Sequence, residues 1–213
     1  MATIVRGSRI TLGSPRSRDQ RFVVQAGEER IGPATDSQDV SVVLGTLAGM
    51  AAAEKPRPYA VIDIDGVLAD VRHRLSHLAT NPKDWDGFFA AAPQDPPLAE
   101  GLAVARHLAA DHQLVILSGR PERCRSATVT WLRDHHLPTE ALLLRRDGDR
   151  RPARLTKIDA LRNLALTGDV AILVDDDPAV CAAAEAAGFT VFLASWADPQ
   201  QSLFEAQEVD GAS

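Results

Sequence analysis

Three clusters of side chains in this sequence have the types and spacing to do chemistry on an anionic substrate. "YAVIDIDGVLAD" places Asp63 and Asp65 one residue apart at the end of an apolar run, with Gly66 next and Asp70 soon after. "QLVILSGR" ends in Ser118, Gly119 and Arg120, and "VAILVDDDP" ends in Asp175, Asp176 and Asp177. Lys157 opens the helical stretch that precedes the last of these runs. Carboxylates brought to one place repel one another, and some must take up protons unless a cation neutralises them. Hard oxygen ligands in this number suit Mg²⁺, which keeps several waters and shares its remaining positions with a substrate phosphate. Asp177, just before Pro178, also fits a helix N-cap, and Asp70 fits a cap for the segment after it.

The elements that must position these residues follow from the pattern between Tyr59 and about residue 195. "YAVIDI", "QLVILSG", "EALLLR", "VAILVD" and "FTVFLA" are continuously apolar rather than alternating, the mark of strands buried on both faces. Helical stretches separate them at Ala99–Asp111, Pro121–His135, Thr156–Leu166 and Pro178–Ala187. This alternation predicts an α/β fold, a doubly wound, Rossmann-like parallel sheet. In such sheets ligands bind at the carboxyl ends of the strands, where all three clusters fall. The segment at about 70–98, "VRHRLSHLATNPKDWDGFFAAAPQDPP" at its heart, is too long for an ordinary connection and is read as a small cap insertion after the first core strand.

The chain of 213 residues divides into an N-terminal extension over 1–56, a main domain over 57–200 and a flexible C-terminal tail over 201–213. The extension is polar and lacks a sustained period. It is expected to be partly disordered or loosely docked, with a short strand near "RFVVQ" and a helix over Val40–Glu54 that "EKPRP" ends. A net charge of −6 gives no global attraction to nucleic acid, so any such contact needs a local basic patch, for which "RRDGDRR" is the candidate. Cys124 and Cys181 stand far apart without metal-ligand spacing, and the apolar run from Val40 is too short to cross a bilayer. A cytoplasmic protein is expected.

"DIDGVLAD", "ILSGR", Lys157 and "ILVDDDP" resemble, in order, the four motifs of the haloacid-dehalogenase (HAD) superfamily. The resemblance implies a HAD-like phosphatase in which Asp63 attacks phosphorus and becomes an aspartyl-phosphate, as an ionised carboxylate can without an activating base. It implies that Asp65 protonates the leaving oxygen and then activates water. Ser118 and the Gly119 N–H would bind phosphoryl oxygens, and Lys157 would offset charge. Mg²⁺ would be held by the Asp63 carboxylate, the Asp65 carbonyl, Asp176 and Asp175.

Within the superfamily the chain most resembles the 3′-phosphatase domain of phage-type polynucleotide kinase/phosphatases. Arg74 soon after the first motif, Arg120, "TVTWLRDH", and the run Arg145, Gly148, Asp149, Arg151 into Lys157 carry that resemblance. It implies that Arg74, Arg120 and Arg145 contact the scissile or neighbouring phosphates, for which the planar guanidinium fork is suited, and that the substrate is a nucleic acid 3′ end. The family can carry an acid a few positions before the lysine, where this chain has Ala153 and Arg154. No G-x-x-x-x-G-K-[ST] loop occurs, so the kinase half of those bifunctional enzymes is absent.

Two other readings stand beside this one. "DGVLAD" also resembles HAD deoxyribonucleotidases, and Trp85 and Phe88 would then stack a nucleoside monophosphate's base or else form the cap's own mini-core. A non-catalytic HAD-like binding module would be expected to lose the nucleophile, the acid/base or the lysine, and all are present. His73, His77, His135 and His136 are read as surface or cap residues.

Overall fold

A computed structural model describes residues 56–197 and 201–209. The strand near residue 22 and the helix over 40–54 lie outside the described residues.

All five expected strands form, and they make one parallel sheet: β1 (Tyr59–Ile62), β2 (Gln113–Pro121), β3 (Leu142–Arg145), β4 (Val170–Asp175) and β5 (Val191–Leu193). The spatial order is β3-β2-β1-β4-β5, so the chain winds outward from β1 in one direction and then in the other. Alternate residues of the central strands feed two cores. Ala60, Ile62, Leu114 and Ile116 face one side, and Val61, Val115, Leu117 and Leu173 face the other. This explains why the strands read as unbroken apolar runs. Helices α2 (Ala99–Leu108) and α3 (Arg125–Asp134) cover the first face; α4 (Ala153–Ala165) and α5 (Pro178–Ala186) cover the second. Each fully buried Ile or Leu contributes about 1.5–3 kcal/mol over leaving it in water.

The cap insertion contains a 3₁₀ segment (Arg72–Ala79), a short helix α1 (Trp85–Ala90) and a 3₁₀ turn at Ala92–Gln94. Asp84 caps α1 by accepting from the Gly87 N–H at 2.8 Å. Phe88 and Phe89 are buried with Val71 and Leu78, and Trp85 packs edge-on to Phe88 at 5.6 Å. The aromatics are therefore the cap's mini-core, and Phe88, with no exposed surface, has no face left for a base.

The reading of residues 201–213 as a flexible tail needs correction. Gln201–Val209 form a helix, α6, whose Leu203 and Ala206 are buried in the cap's apolar cluster. Two apolar positions three residues apart make a weak periodic signal, and the cap aromatics that give them a burial place are distant in sequence.

Candidate active site

The carboxyl edge of the sheet is shaped by the turn after β1. The Asp63 N–H still bonds the Val174 carbonyl at 3.0 Å, so the chain leaves the sheet at Asp63 and no earlier. Gly66 has φ +80°, which a residue with a side chain rarely adopts, and its N–H bonds the Ala69 carbonyl at 2.9 Å. Asp63 and Asp65 therefore rise together from the top of the sheet, beside Ser118 of β2 and Asp175 at the end of β4.

Lys157, on α4, donates from Nζ to Asp63 Oδ2 and to Asp175 Oδ2, both at 2.7 Å. All three are buried. Its ammonium is pushed well above the ordinary lysine range: burial opposes the charge, but Asp175 and Asp63 outweigh it. Burial raises Asp63 to about 7, with Lys157 pulling it back down and Asp175 and Asp65 adding to the rise. Burial likewise raises Asp175 and Asp176. Carboxylate oxygens of Asp63, Asp175 and Asp176 lie within 4.8 Å of one another, and Asp63 Oδ1 is buried without a hydrogen-bond partner. An all-oxygen set of reluctant carboxylates fits a divalent hard cation.

A second buried cluster lies on the cap side. Asp65 Oδ1 accepts from Arg74 Nη2 at 2.8 Å and from Arg120 Nε at 3.0 Å. Asp95 accepts from Arg74 Nε and Nη2, both at 2.8 Å, and from Arg120 Nη2 at 2.7 Å. The four side chains form a closed square of two guanidiniums and two carboxylates, each almost wholly buried. Burial alone would raise Asp65, but Arg120 and Arg74 outweigh it and hold its carboxyl at about 2. Asp95 shifts upward, because burial there exceeds what the shared arginines return. The Arg74 guanidinium also lies 4.1 Å from the centre of the Phe88 ring.

Arg74 and Arg120, expected to face substrate phosphates, are thus fixed on Asp65 and Asp95, with 0% and 1% exposure. Asp95 is the residue that sequence reasoning missed. It sits in "PQDPP", which reads as turn, and only its burial with its carbonyl accepting from Trp131 Nε1 at 2.8 Å marks it as a cornerstone. The Asp65 carboxylate faces the arginines and is not part of the Asp63–Asp175–Asp176 group.

Ser118 is buried, its Oγ accepting from the Arg120 N–H at 3.3 Å, and Gly119 is buried beside it. Arg145, 4% exposed at the end of β3, donates from Nη1 to the carbonyls of Asp149 (3.3 Å) and Arg151 (2.6 Å), so it organises the loop into α4. Ser118, Arg145 and Lys157 all line one cavity of about 520 Å³, which continues between β3 and α4 past Asn163. Asp177 caps α5 through the Ala179 N–H at 2.8 Å, whereas Asp70 accepts from the Arg72 N–H at 3.0 Å and from its guanidinium without being the N-cap of the following segment, which is Val71.

Residues 58–198 match the family described as the polynucleotide kinase PNKP phosphatase domain. The chain belongs to this family. As a member of the PNKP phosphatase family it is a HAD phosphohydrolase. No curated protein matches the sequence at a significant level. Among solved structures, a chain of the Pnkp1/Rnl/Hen1 RNA repair complex aligns with a TM-score of 0.57 at 21% identity, over 67% of this chain and 44% of that one. A second structure of the Pnkp1/Rnl/Hen1 complex aligns with a TM-score of 0.57 at 17% identity, over 87% of this chain and 58% of that one. This PNKP-family chain thus spans about half the length of those relatives. The class C acid phosphatase from Bacillus anthracis aligns with a TM-score of 0.50 at 17% identity, over 72% of this chain and 73% of that one. These likenesses establish the shared fold. No helix among the described residues is long and apolar enough to cross a membrane.

Proposed function

We propose that this chain is an Mg²⁺-dependent phosphomonoesterase that removes 3′-phosphate from polynucleotide ends through an aspartyl-phosphate on Asp63. The observation that carries the chemistry is the state of Asp63. Lys157 fixes Oδ2, while Oδ1 is buried and unpartnered, leaving one oxygen for attack on phosphorus. Asp63, Asp175, Asp176 and the Asp65 carbonyl would hold Mg²⁺, which supplies neutralisation of charge on the phosphoryl oxygens. Ser118 and the Gly119 N–H bind those oxygens, and Lys157 keeps Asp63 aligned. In the first half-reaction the P–O3′ bond breaks as the Asp63–P bond forms, and the leaving oxygen takes a proton from Asp65. In the second, Asp65 removes a proton from water as it attacks the same phosphorus, freeing Asp63 and inorganic phosphate.

A carboxyl held at about 2 does not carry a proton at neutral pH. Arg74 and Arg120 must therefore loosen their grip on Asp65 when a phosphate dianion enters and competes for them. That gives both arginines a double role: holding Asp65 ionised in the empty site and receiving phosphate oxygens in the filled one. The polynucleotide assignment is supported by the family match and by the exposed Arg146 and Arg150 beside the site.

A mononucleotide phosphatase is the second reading, favoured by a fastened cap. Arg123, following β2, bonds Asp86 of α1 at 3.2 Å, and its N–H bonds Asp147 of the β3–α4 loop at 3.1 Å. The deciding assay is Mg²⁺-dependent phosphate release from short oligonucleotides bearing 3′- or 5′-phosphate, with 3′- and 5′-mononucleotides alongside and D63N as control. Release from the 3′-phosphorylated strand, lost in D63N, is expected. Release from mononucleotides only would replace the first reading with the second.

A further inference from the structure

His73 lies in the 3₁₀ segment of the cap, and its side chain is 37% exposed, as befits a surface residue. Its Nε2 nevertheless lies 2.8 Å from Asp95 Oδ1. That oxygen also accepts from Arg74 Nε at 2.8 Å, while Oδ2 accepts from Arg74 Nη2 at 2.8 Å and Arg120 Nη2 at 2.7 Å. With guanidinium N–H groups pointing at both its oxygens, Asp95 acts as an acceptor. The hydrogen in the imidazole contact therefore belongs to His73 Nε2, and His73 donates. It touches the buried square from the solvent side, through a carboxylate that is itself fully enclosed.

The side chains that donate to Asp95 differ in what substrate asks of them. Arg74 and Arg120 also hold Asp65 Oδ1, at 2.8 Å and 3.0 Å, and an entering phosphate dianion competes for both. Each guanidinium that turns toward phosphate loosens its hold on Asp95, whose charge burial already opposes. His73 reaches Asp95 from outside the square and has no need to move. While the arginines are in place its imidazole is one donor among several. Once they are drawn away it is the donor that stays. Its bond thus counts for more in the phosphate-bound state, and only a contact that differs between two states shifts the balance between them.

We propose that His73 is a positioning residue for phosphate binding: it keeps Asp95 hydrogen-bonded while Arg74 and Arg120 pass from the square to the phosphate oxygens. The proposal rests on the phosphohydrolase reading of the same site. It does not depend on whether the substrate is a polynucleotide.

The test compares wild type, H73L and H73Q with p-nitrophenyl phosphate, recording KM, kcat and Tm. Inorganic phosphate, with Mg²⁺, is titrated into each by calorimetry, which makes the comparison without turnover. Leucine removes the donor, whereas glutamine returns a neutral N–H to about the same place. H73L should raise KM and the phosphate Kd about tenfold, the scale of one hydrogen bond to a charged group. Its kcat should stay within about twofold, and its Tm should fall by less than about 5 °C. H73Q should recover most of the affinity. A purely structural contact would lower Tm in H73L and leave phosphate affinity as in wild type, and that result overturns the proposal. So does a loss confined to kcat, or an H73Q protein that binds phosphate no better than H73L. A wild type that neither hydrolyses p-nitrophenyl phosphate nor binds phosphate would overturn the phosphohydrolase reading and this proposal with it, whereas an active wild type matched in affinity by H73L overturns this proposal alone.

Discussion

Replacing Asp95 with Asn tests whether the buried square of charges is what shapes the acid/base residue. The Asp95 side chain is fully buried and accepts three hydrogen bonds from Arg74 and Arg120, with His73 Nε2 a further partner at 2.8 Å. Asparagine keeps the shape and one acceptor oxygen, but it leaves two buried guanidiniums facing Asp65 alone. Removing one partner of a buried ion pair costs about 3–5 kcal/mol, and the retained amide places D95N near the lower end. At about 2–4 °C per kcal/mol for a chain of this size, Tm should fall by about 6–12 °C. The catalytic effect follows from charge. Asp65 raises the proton affinity of Asp95, and both share Arg74 and Arg120, so with Asp95 neutral the arginines bear on Asp65 undivided and hold it ionised more tightly. Protonation of the leaving oxygen becomes harder, and kcat should fall far more for an alkyl phosphate than for p-nitrophenyl phosphate, whose leaving group needs no proton. The assay is kcat for both substrates with thermal melts of the same preparations. A D95N protein that melts like wild type, or that loses both activities in equal measure, would refute the reasoning.

Lys157→Met removes the bridge between Asp63 and Asp175. It should lower kcat by about 10²–10³, as losing one preorganised charge-stabilising group does, while added Mg²⁺ recovers more Tm than it does in wild type. Stability should also depend on pH through Asp63, at about 7 folded against 3.8 as its ordinary value. Between those values the folded, metal-free protein keeps a proton that the unfolded chain has released, so stability is lost as pH rises through this window. The rise in Tm on adding Mg²⁺ should therefore be larger near pH 7.5 than near pH 5, and an equal rise at both would contradict the assignment. The double variant R146A/R150A should raise KM for a 3′-phosphorylated oligonucleotide and flatten its dependence on log salt by about one unit for each phosphate left without its arginine. Its KM for p-nitrophenyl phosphate should stay unchanged.

What was legible in the sequence was decided locally. A strand buried on both faces must be apolar throughout, so the polar residue that ends it is conspicuous, and Asp63, Ser118 and Asp175 could be placed at one edge before any coordinates. What was not legible depends on partners far along the chain. Asp95 looks like a turn residue until Arg74, Arg120 and Trp131 enclose it. Phe88 could have offered a face to a base until Leu203 of α6 joined the same cluster. The β2 strand runs on through Arg120 to Pro121, which pairs with Arg145 after a register shift, and this irregularity carries the Arg120 side chain back over Asp65. Helix α4 begins three residues earlier than the expected Thr156 because Pro152 ends the preceding loop at its N-cap, which brings Arg154 within reach of Glu208.

Charge at the sheet edge joins these observations. Among the described residues, the acids Asp63, Asp65, Asp95, Asp175, Asp176 and Asp177 gather there with the cations Arg74, Arg120 and Lys157, while Arg145 donates into the β3–α4 loop. The excess negative charge is not shared evenly. The Asp65–Asp95–Arg74–Arg120 square is neutral, so the excess falls on Asp63, Asp175 and Asp176, the carboxylates whose proton affinity is raised. A divalent cation neutralises more of that excess than a monovalent ion, which would leave more charge to repel a phosphate dianion. The arginine square then has a reason to be neutral by itself: it can release guanidiniums to an incoming phosphate only if Asp65 takes up a proton as they leave. The same exchange that binds the substrate would load the acid needed to expel its leaving group.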